Sequence, residues 1–408
     1  MNRQYVIFYW HLFSERDWVR FDCDQMAARG YRVRIIQLGS ALGRLRLQDL
    51  AREGTVAAPQ AETPETQEDI LRVLDGLSPS DLILVISPLE SRYLWLNVEL
   101  GRRKVPYVQL NLGRLPDRIT FRLLIQRGGL RALAGLLPAA RHMAYRLKFH
   151  LRLLGEMGLD YFRIPGPLLW GRAGSSRELF STEGIHLWRS KIVELESFDV
   201  AWARRGDAMD TGLGDAPYAV YVDEALRDHP DYTIIDFPPP IQGEGFYQAL
   251  KQFFDQVESQ LNLKVMVALH PKANYQPQEL EHLFGDRIVT SGQTAPLIKN
   301  ASLVFMHNST SASYAVLYRK AIMFLTSDQI DRSWLRADLE ARSSWLNQPI
   351  INIDDVSRDH CIIKPLAVDE AIYAEFEDSF LRTQNARRGS AICAIAEQFE
   401  EMSPVTGD

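Results

Sequence analysis

Two doubly wound α/β domains are predicted from the sequence by three observations. Short apolar runs alternate with amphipathic stretches from Gln4 to about Gly113, and the same alternation restarts at Tyr218. Between the two series lies DAMDTGLGDAP (Asp207–Pro217), small, acidic and glycine-containing, which has the texture of an interdomain linker. A chain of 408 residues is also too long for one core of ordinary size.

The elements follow in order. QYVIFYW (Gln4–Trp10) is β-branched and aromatic, as a buried strand should be, and RDWVRFDCDQMAARG has helical spacing that stops at Gly30, a C-cap signal. YRVRIIQLG, SPSDLILVISPLE and VPYVQLNLG read as further strands, with SRYLWLNVELGRRK a helix before the last of them. From Arg118 to about Gly158 the chain is rich in Leu and Arg, with Glu156 its one acid, and predicts two basic amphipathic helices broken near Pro138. Packing of their Leu face on the sheet is the first expectation; peripheral contact with an anionic membrane is the second. GIHLWRSKIVELESFDVAWARRG is expected to be a strand leading into a short polar segment. The first domain is accordingly placed at 1–210, with its helical insertion at 118–158.

In the second half, YAVYVDEA, LKVMVALHP, IVTSG, SLVFMHN and AIMFLTS read as strands. GEGFYQALKQFFDQVESQLN, QELEHLFGDR, TAPLIKNA and STSASYAVLYRK read as helices or helical turns between them. This second domain is placed at 217–380. RTQNARRGSAICAIAEQFEEM predicts a C-terminal helix in 381–408 that packs back on the first domain.

The bulk numbers exclude several classes. A net charge of −6 gives no reason to expect nucleic acid as a partner. Cys23, Cys361 and Cys393 form no CxxC pair, so neither a zinc site nor a disulfide framework is indicated and a cytoplasmic location is expected. The N-terminal apolar run is interrupted by His11 and lacks a cleavage site, and no membrane-spanning stretch occurs. There is no GxGxxG after a strand, no GxxxxGK[ST], no HExxH and no GxSxG. Asp22-Cys23-Asp24 falls on a helix, a poor place for a metal-bound diphosphate, so no metal and no cofactor are expected.

Chemistry gathers where second-half strands end, because ligands of open α/β sheets sit outside the carboxyl ends of the strands. VFMHNSTSASYAVL stops its strand at His307, passes Asn308, Ser309, Thr310, Ser311 and Ser313, and enters a helix. Free N–H groups and small hydroxyl residues there suit a nucleotide phosphate; ordinary N-capping would need one hydroxyl, not four. VALHPKANY ends its strand at His270, whose direction Pro271 restricts and whose neighbour Lys272 is basic. His270 is a candidate to stabilise a phosphate leaving group; a core His bonded to a carbonyl is the bland alternative. Asp223 and Glu224, in YVDEALRDHPDY, also end a strand and point to opposite faces. One of them is a candidate base or nucleophile; a surface turn is an equal alternative.

His270-Pro271 and Ser309-Thr310-Ser311 resemble the His-Pro and Ser-Ser/Thr motifs of bacterial sialyltransferases, and Asp223-Glu224 is similar to their acidic motif, with Ala225 standing where that motif has Gly. The resemblance spans roughly Tyr218 to Ser327. It implies the GT-B arrangement of two Rossmann-like domains across a cleft and a CMP-activated sugar as donor. By it, His270 would contact the CMP phosphate and Ser309, Thr310 and Ser311 would hold it, with Lys272 neutralising charge. The chain also resembles the retaining Kdo transferases, which implies Kdo or a nonulosonic acid as the sugar, Asp223 as a covalent nucleophile, and a lipopolysaccharide, capsule or lipid-linked glycan as acceptor. Arg16 is one candidate for the sugar carboxylate. Competing expectations are a UDP- or GDP-sugar transferase, a CDP-polyol transferase, a UDP-sugar 2-epimerase, and a non-catalytic assembly subunit.

Overall fold

The computed structural model describes residues 3–43, 61–88, 90–113, 115–116, 147–175, 190–207, 209, 216–229, 232, 238–273, 275–355 and 367–402. It divides into two compact units. Among the described residues the first holds seven parallel strands: β1 (Gln4–Tyr9), β2 (Arg32–Gln37), β3 (Ala61–Glu62), β4 (Leu82–Ile86), β5 (Val108–Asn111), β6 (Leu169–Ala173) and β7 (Lys191–Leu195). Their spatial order is β3-β2-β1-β4-β5-β6-β7. The second unit holds β8 (Tyr218–Val222), β9 (Lys264–Leu269), β10 (Val289–Ser291), β11 (Leu303–Met306), β12 (Ile322–Thr326) and β13 (Ile350–Asn352), in the order β10-β9-β8-β11-β12-β13. Every neighbouring pair among these strands is parallel. Both sheets thus reverse direction beside their first strand, which is the Rossmann-like, doubly wound order.

The central strands are largely apolar, as in β4 (LILVI), β8 (YAVYV) and β11 (LVFM), which is what a parallel sheet covered on both faces requires. In β8, YAVYV, all five residues are buried. The helix Gly245–Leu261 explains its own position: Phe246, Leu250, Phe253, Phe254 and Val257 recur at helical spacing and are all 2% exposed or less. Each such side chain contributes about 1.5–3 kcal/mol on burial. Asn262 ends this helix in the left-handed conformation, φ 52°.

Three boundaries differ from expectation. SFDVAWARRG is a helix, Phe198–Gly206, and not a polar segment; the Ser197 hydroxyl accepts from the Val200 N–H and starts it. The helix packs against the helices Thr294–Asn300 and Ala312–Leu317, and Tyr318 donates to the Ala203 carbonyl at 3.0 Å. It therefore belongs to the second unit, and the chain leaves the first at Glu196, not at 210. The last helix begins only at Ala391; it lies on β6, β7 and the helix Cys23–Ala28 of the first unit.

Most of the basic stretch, 117–146, and most of the expected linker lie outside the described residues. Residues 147–157 are helical, and Leu153 packs with Leu94, Val98, Tyr161 and Ile164. Among the described residues no helix is long and apolar enough to cross a membrane.

Candidate functional site

In the second unit β8 lies between β9 and β11, so the loops that follow those three strands emerge side by side. At about 4.8 Å per strand, the ends of β9 and β11 are roughly 10 Å apart. The first carries His270-Pro271-Lys272, the second His307 to Ser311, and Asp223-Glu224 leave β8 between them. The topology thus brings these second-unit residues to one edge of one sheet.

The two acids pin the two loops. Asp223 is 2% exposed. Its Oδ2 accepts the His270 N–H at 3.3 Å, and its Oδ1 accepts the Ala225 N–H at 3.2 Å and the Tyr275 hydroxyl at 3.4 Å. Glu224 turns to the other neighbour, where its two oxygens accept the N–H groups of His307 at 2.8 Å and Asn308 at 2.9 Å. Arg342, 7% exposed, donates to the Asn308 carbonyl and draws electrostatically on Glu224. Adjacent residues at a strand end face opposite ways, and here each way leads to a different loop.

Burial pushes the Asp223 carboxyl up to about 6, although the three donors pull it back. Burial likewise pushes Glu224 up to about 7, opposed by Arg342 and the two amides. Ala225 follows with φ 48°, in the left-handed region that favours glycine. That conformation gives a physical reason for a glycine after two such acids.

These contacts revise the roles expected of the acids. In this structure neither Asp223 nor Glu224 stands as an open base or nucleophile; each carboxylate accepts backbone N–H groups of a neighbouring loop and holds that loop in place. His307 is corrected more fully. Its ring is 0% exposed, with Nδ1 2.7 Å from the Leu325 carbonyl and Nε2 3.1 Å from the Tyr221 hydroxyl. Burial lowers its pKa to about 4, so it is a neutral core residue and no phosphate ligand. Asn308 serves through its backbone, held between Glu224 and Arg342. Ser313 also lies in the core, 0% exposed.

Ser309, Thr310 and Ser311 form a turn before the helix Ala312–Leu317. The Ser309 hydroxyl accepts the Ser311 N–H at 3.1 Å. Among the described residues nothing accepts the backbone N–H groups of Ser309 and Thr310 or takes the hydroxyls of Thr310 and Ser311. Thr310 is exposed and its two neighbours are half-buried. Two amides and two hydroxyls therefore stand ready for an anion.

His270 is half-buried, while Pro271 and Lys272 are exposed. The Lys272 N–H donates to His270 Nδ1 at 3.2 Å, which places the imidazole proton on Nε2. The ring is therefore a donor of fixed tautomer. Arg16 lies exposed on the first unit's helix Glu15–Arg20. Asp22 and Asp24 are structural: Asp22 accepts from Gln25 and Ser390, and Asp24 from Trp18. Among the described residues no group of three or more His, Cys, Asp or Glu is arranged to hold a metal ion.

Tyr275, Arg342 and His229 were missed from the sequence. His229 had a visible signal, since His229-Pro230 repeats the His-Pro dipeptide found at the end of β9. Tyr275 and Arg342 had none, because their contacts arise only from packing.

No family model matches the chain, and no curated protein matches it. Solved structures do resemble it. MurG of Acinetobacter baumannii is 8% identical with a TM-score of 0.49, over 98% of this chain and 100% of that one. A co-structure of S. aureus MnaA with UDP is 11% identical with a TM-score of 0.49, over 98% and 96%. A variant of the wall teichoic acid polymerase TagF is 12% identical with a TM-score of 0.49, over 98% of this chain and 88% of that one. This chain is thus similar to these structures along nearly its whole length, at identities that carry no information on its activity.

Proposed function

We propose that this chain is a GT-B glycosyltransferase that takes its sugar from a nucleotide-activated donor and passes it to a glycan acceptor. One observation supports this above the others: the unengaged amides of Ser309 and Thr310, with two hydroxyls, flank the same strand as the fixed Nε2–H of His270. That is a donor set for a nucleotide phosphate at the point where the strand order reverses. As the bond from the anomeric carbon to the phosphate oxygen breaks, the electron pair stays on that oxygen. His270 and the Ser309–Ser311 turn would stabilise the charge that develops there. The acceptor hydroxyl attacks the anomeric carbon and loses its proton to a base that is neither Asp223 nor Glu224. The motif resemblance favours a CMP-linked Kdo or nonulosonic acid as the donor.

Thermal melting with CMP, CDP, UDP and GDP tests this. A nucleotide at about 100 times its Kd adds about 2.7 kcal/mol and should raise Tm by several degrees. CMP is expected to protect most, and CMP-Kdo or CMP-sialic acid should then release CMP faster when acceptor is present. Protection by none of the four would sink the proposal.

Peripheral membrane contact is proposed for the first unit. Leu147 and Leu151, one helical turn apart, are 62% and 58% exposed, and Leu159 and Phe162 are 73% and 72% exposed. Lys148, Arg152 and Arg163 lie among them in sequence. The protein should sediment with phosphatidylglycerol vesicles and less with phosphatidylcholine, and Leu147→Glu with Leu151→Glu should abolish the difference. An undiminished preference of the double variant for phosphatidylglycerol vesicles would refute it.

A further inference from the structure

We propose that His229 is a second imidazole of the phosphate site, and that it and His270 together bind a dianionic nucleotide phosphate with uptake of a proton. The proposal rests on the nucleotide-binding function above. The two rings are in contact, with centroids 4.6 Å apart and planes inclined by 57°. Both residues are half-buried. The contact is built by the backbone. Ala225 enters its left-handed turn, Asp228 donates its N–H to the Ala225 carbonyl at 3.0 Å, and the chain folds back over the end of β9. Tyr232 also lies against His229, with ring centroids 5.6 Å apart, and Trp334 lies 6.1 Å from Tyr232, so His229 sits in an aromatic cluster.

Several charged and polar groups of the described residues lie around the pair. Asp223 lies below, holding the His270 N–H, and Tyr275 donates to it. Lys272 shares its backbone N–H with His270 Nδ1. Asp228 is paired with Arg227 at 2.6 Å, and Arg227 is further taken by Glu279 and the face of Tyr247. Two touching imidazoles resist carrying two positive charges at once. A phosphate dianion removes that repulsion, and a proton enters with it.

Calorimetric titration of CMP and UMP, in two buffers of different protonation enthalpy at about pH 6, 7 and 8, reads this directly. The wild-type protein should take up about half a proton to one proton at about pH 7, with affinity falling about tenfold per pH unit above the titration of the pair. His229→Asn should bind about tenfold more weakly at about pH 6 and lose the uptake, with an unchanged melting temperature. His229→Gln replaces it should the Asn variant unfold. Nucleotide binding without proton uptake, or uptake unaltered in the variant, would overturn the role of His229 and leave the nucleotide site standing. No binding to wild-type protein would overturn both.

Discussion

Replacing Glu224 with alanine is expected to cost about 3–5 kcal/mol of stability and to weaken nucleotide binding by about tenfold or more. The carboxylate accepts two backbone N–H groups, those of His307 and Asn308, at 2.8 and 2.9 Å. Alanine leaves both donors without an acceptor and leaves Arg342, 7% exposed, without its nearby acid. Unsatisfied buried donors cost about 1–3 kcal/mol each, so the two amides alone account for most of the loss. The same loss frees the loop that carries Ser309 and Thr310, so binding and stability fall together. Urea unfolding measures the first, and a loss below about 1 kcal/mol would show that Glu224 holds nothing.

Glu224→Gln separates charge from shape. Burial raises the Glu224 carboxyl from 4.5 to about 7, so the folded state holds its proton more tightly than the unfolded chain does. Its contribution to stability is full below pH 4.5 and is lost as pH rises through about 7. His307 works in the opposite sense. Its pKa falls from 6.5 to about 4, so stability is gained as pH rises across that interval. The two slopes oppose one another in wild-type protein. Glu224→Gln should therefore gain stability relative to wild type as pH rises from about 5 to 7.

The alternation of strands and helices was legible because parallel strands covered on both faces must be nearly continuous apolar runs, as in YAVYV and LVFM. The location of the site was legible for the same reason, since a strand's end shows where its apolar run stops. The roles of Asp223 and Glu224 were not. Which neighbour each carboxylate meets depends on the order β9-β8-β11, a long-range property that no local pattern contains. The burial of His307 was equally hidden. It stands one residue past β11, yet its ring turns into the core to meet Tyr221 and Leu325. The helix Phe198–Gly206 was hidden by weak amphipathicity, though its Ser197 cap was in plain view.

His270→Ala should lower sugar transfer by about 10²–10³-fold while leaving the fold intact. The ring is half-buried and its removal opens no closed cavity, whereas His307 at 0% exposed could not be removed so cheaply. Its backbone N–H stays with Asp223, so the loop keeps that anchor; the Nε2 donor disappears, and with it the Nδ1 acceptor of the Lys272 N–H and the ring contact with His229. A donor that acts on the charge formed as the leaving phosphate departs matters more in the transition state than in the bound donor. The loss should therefore fall mainly on kcat, with KM changed by a small factor. Ser309→Ala should cost far less, because the amides of Ser309 and Thr310 survive the change and the hydroxyl already accepts the Ser311 N–H. His270→Gln, which restores an N–H at similar reach, should recover part of the rate. Steady-state kinetics on the nucleotide-sugar that best protects the protein decides it. A His270→Ala enzyme with wild-type kcat would mean that the leaving phosphate lies elsewhere, and the edge of the second sheet would lose its claim to the chemistry.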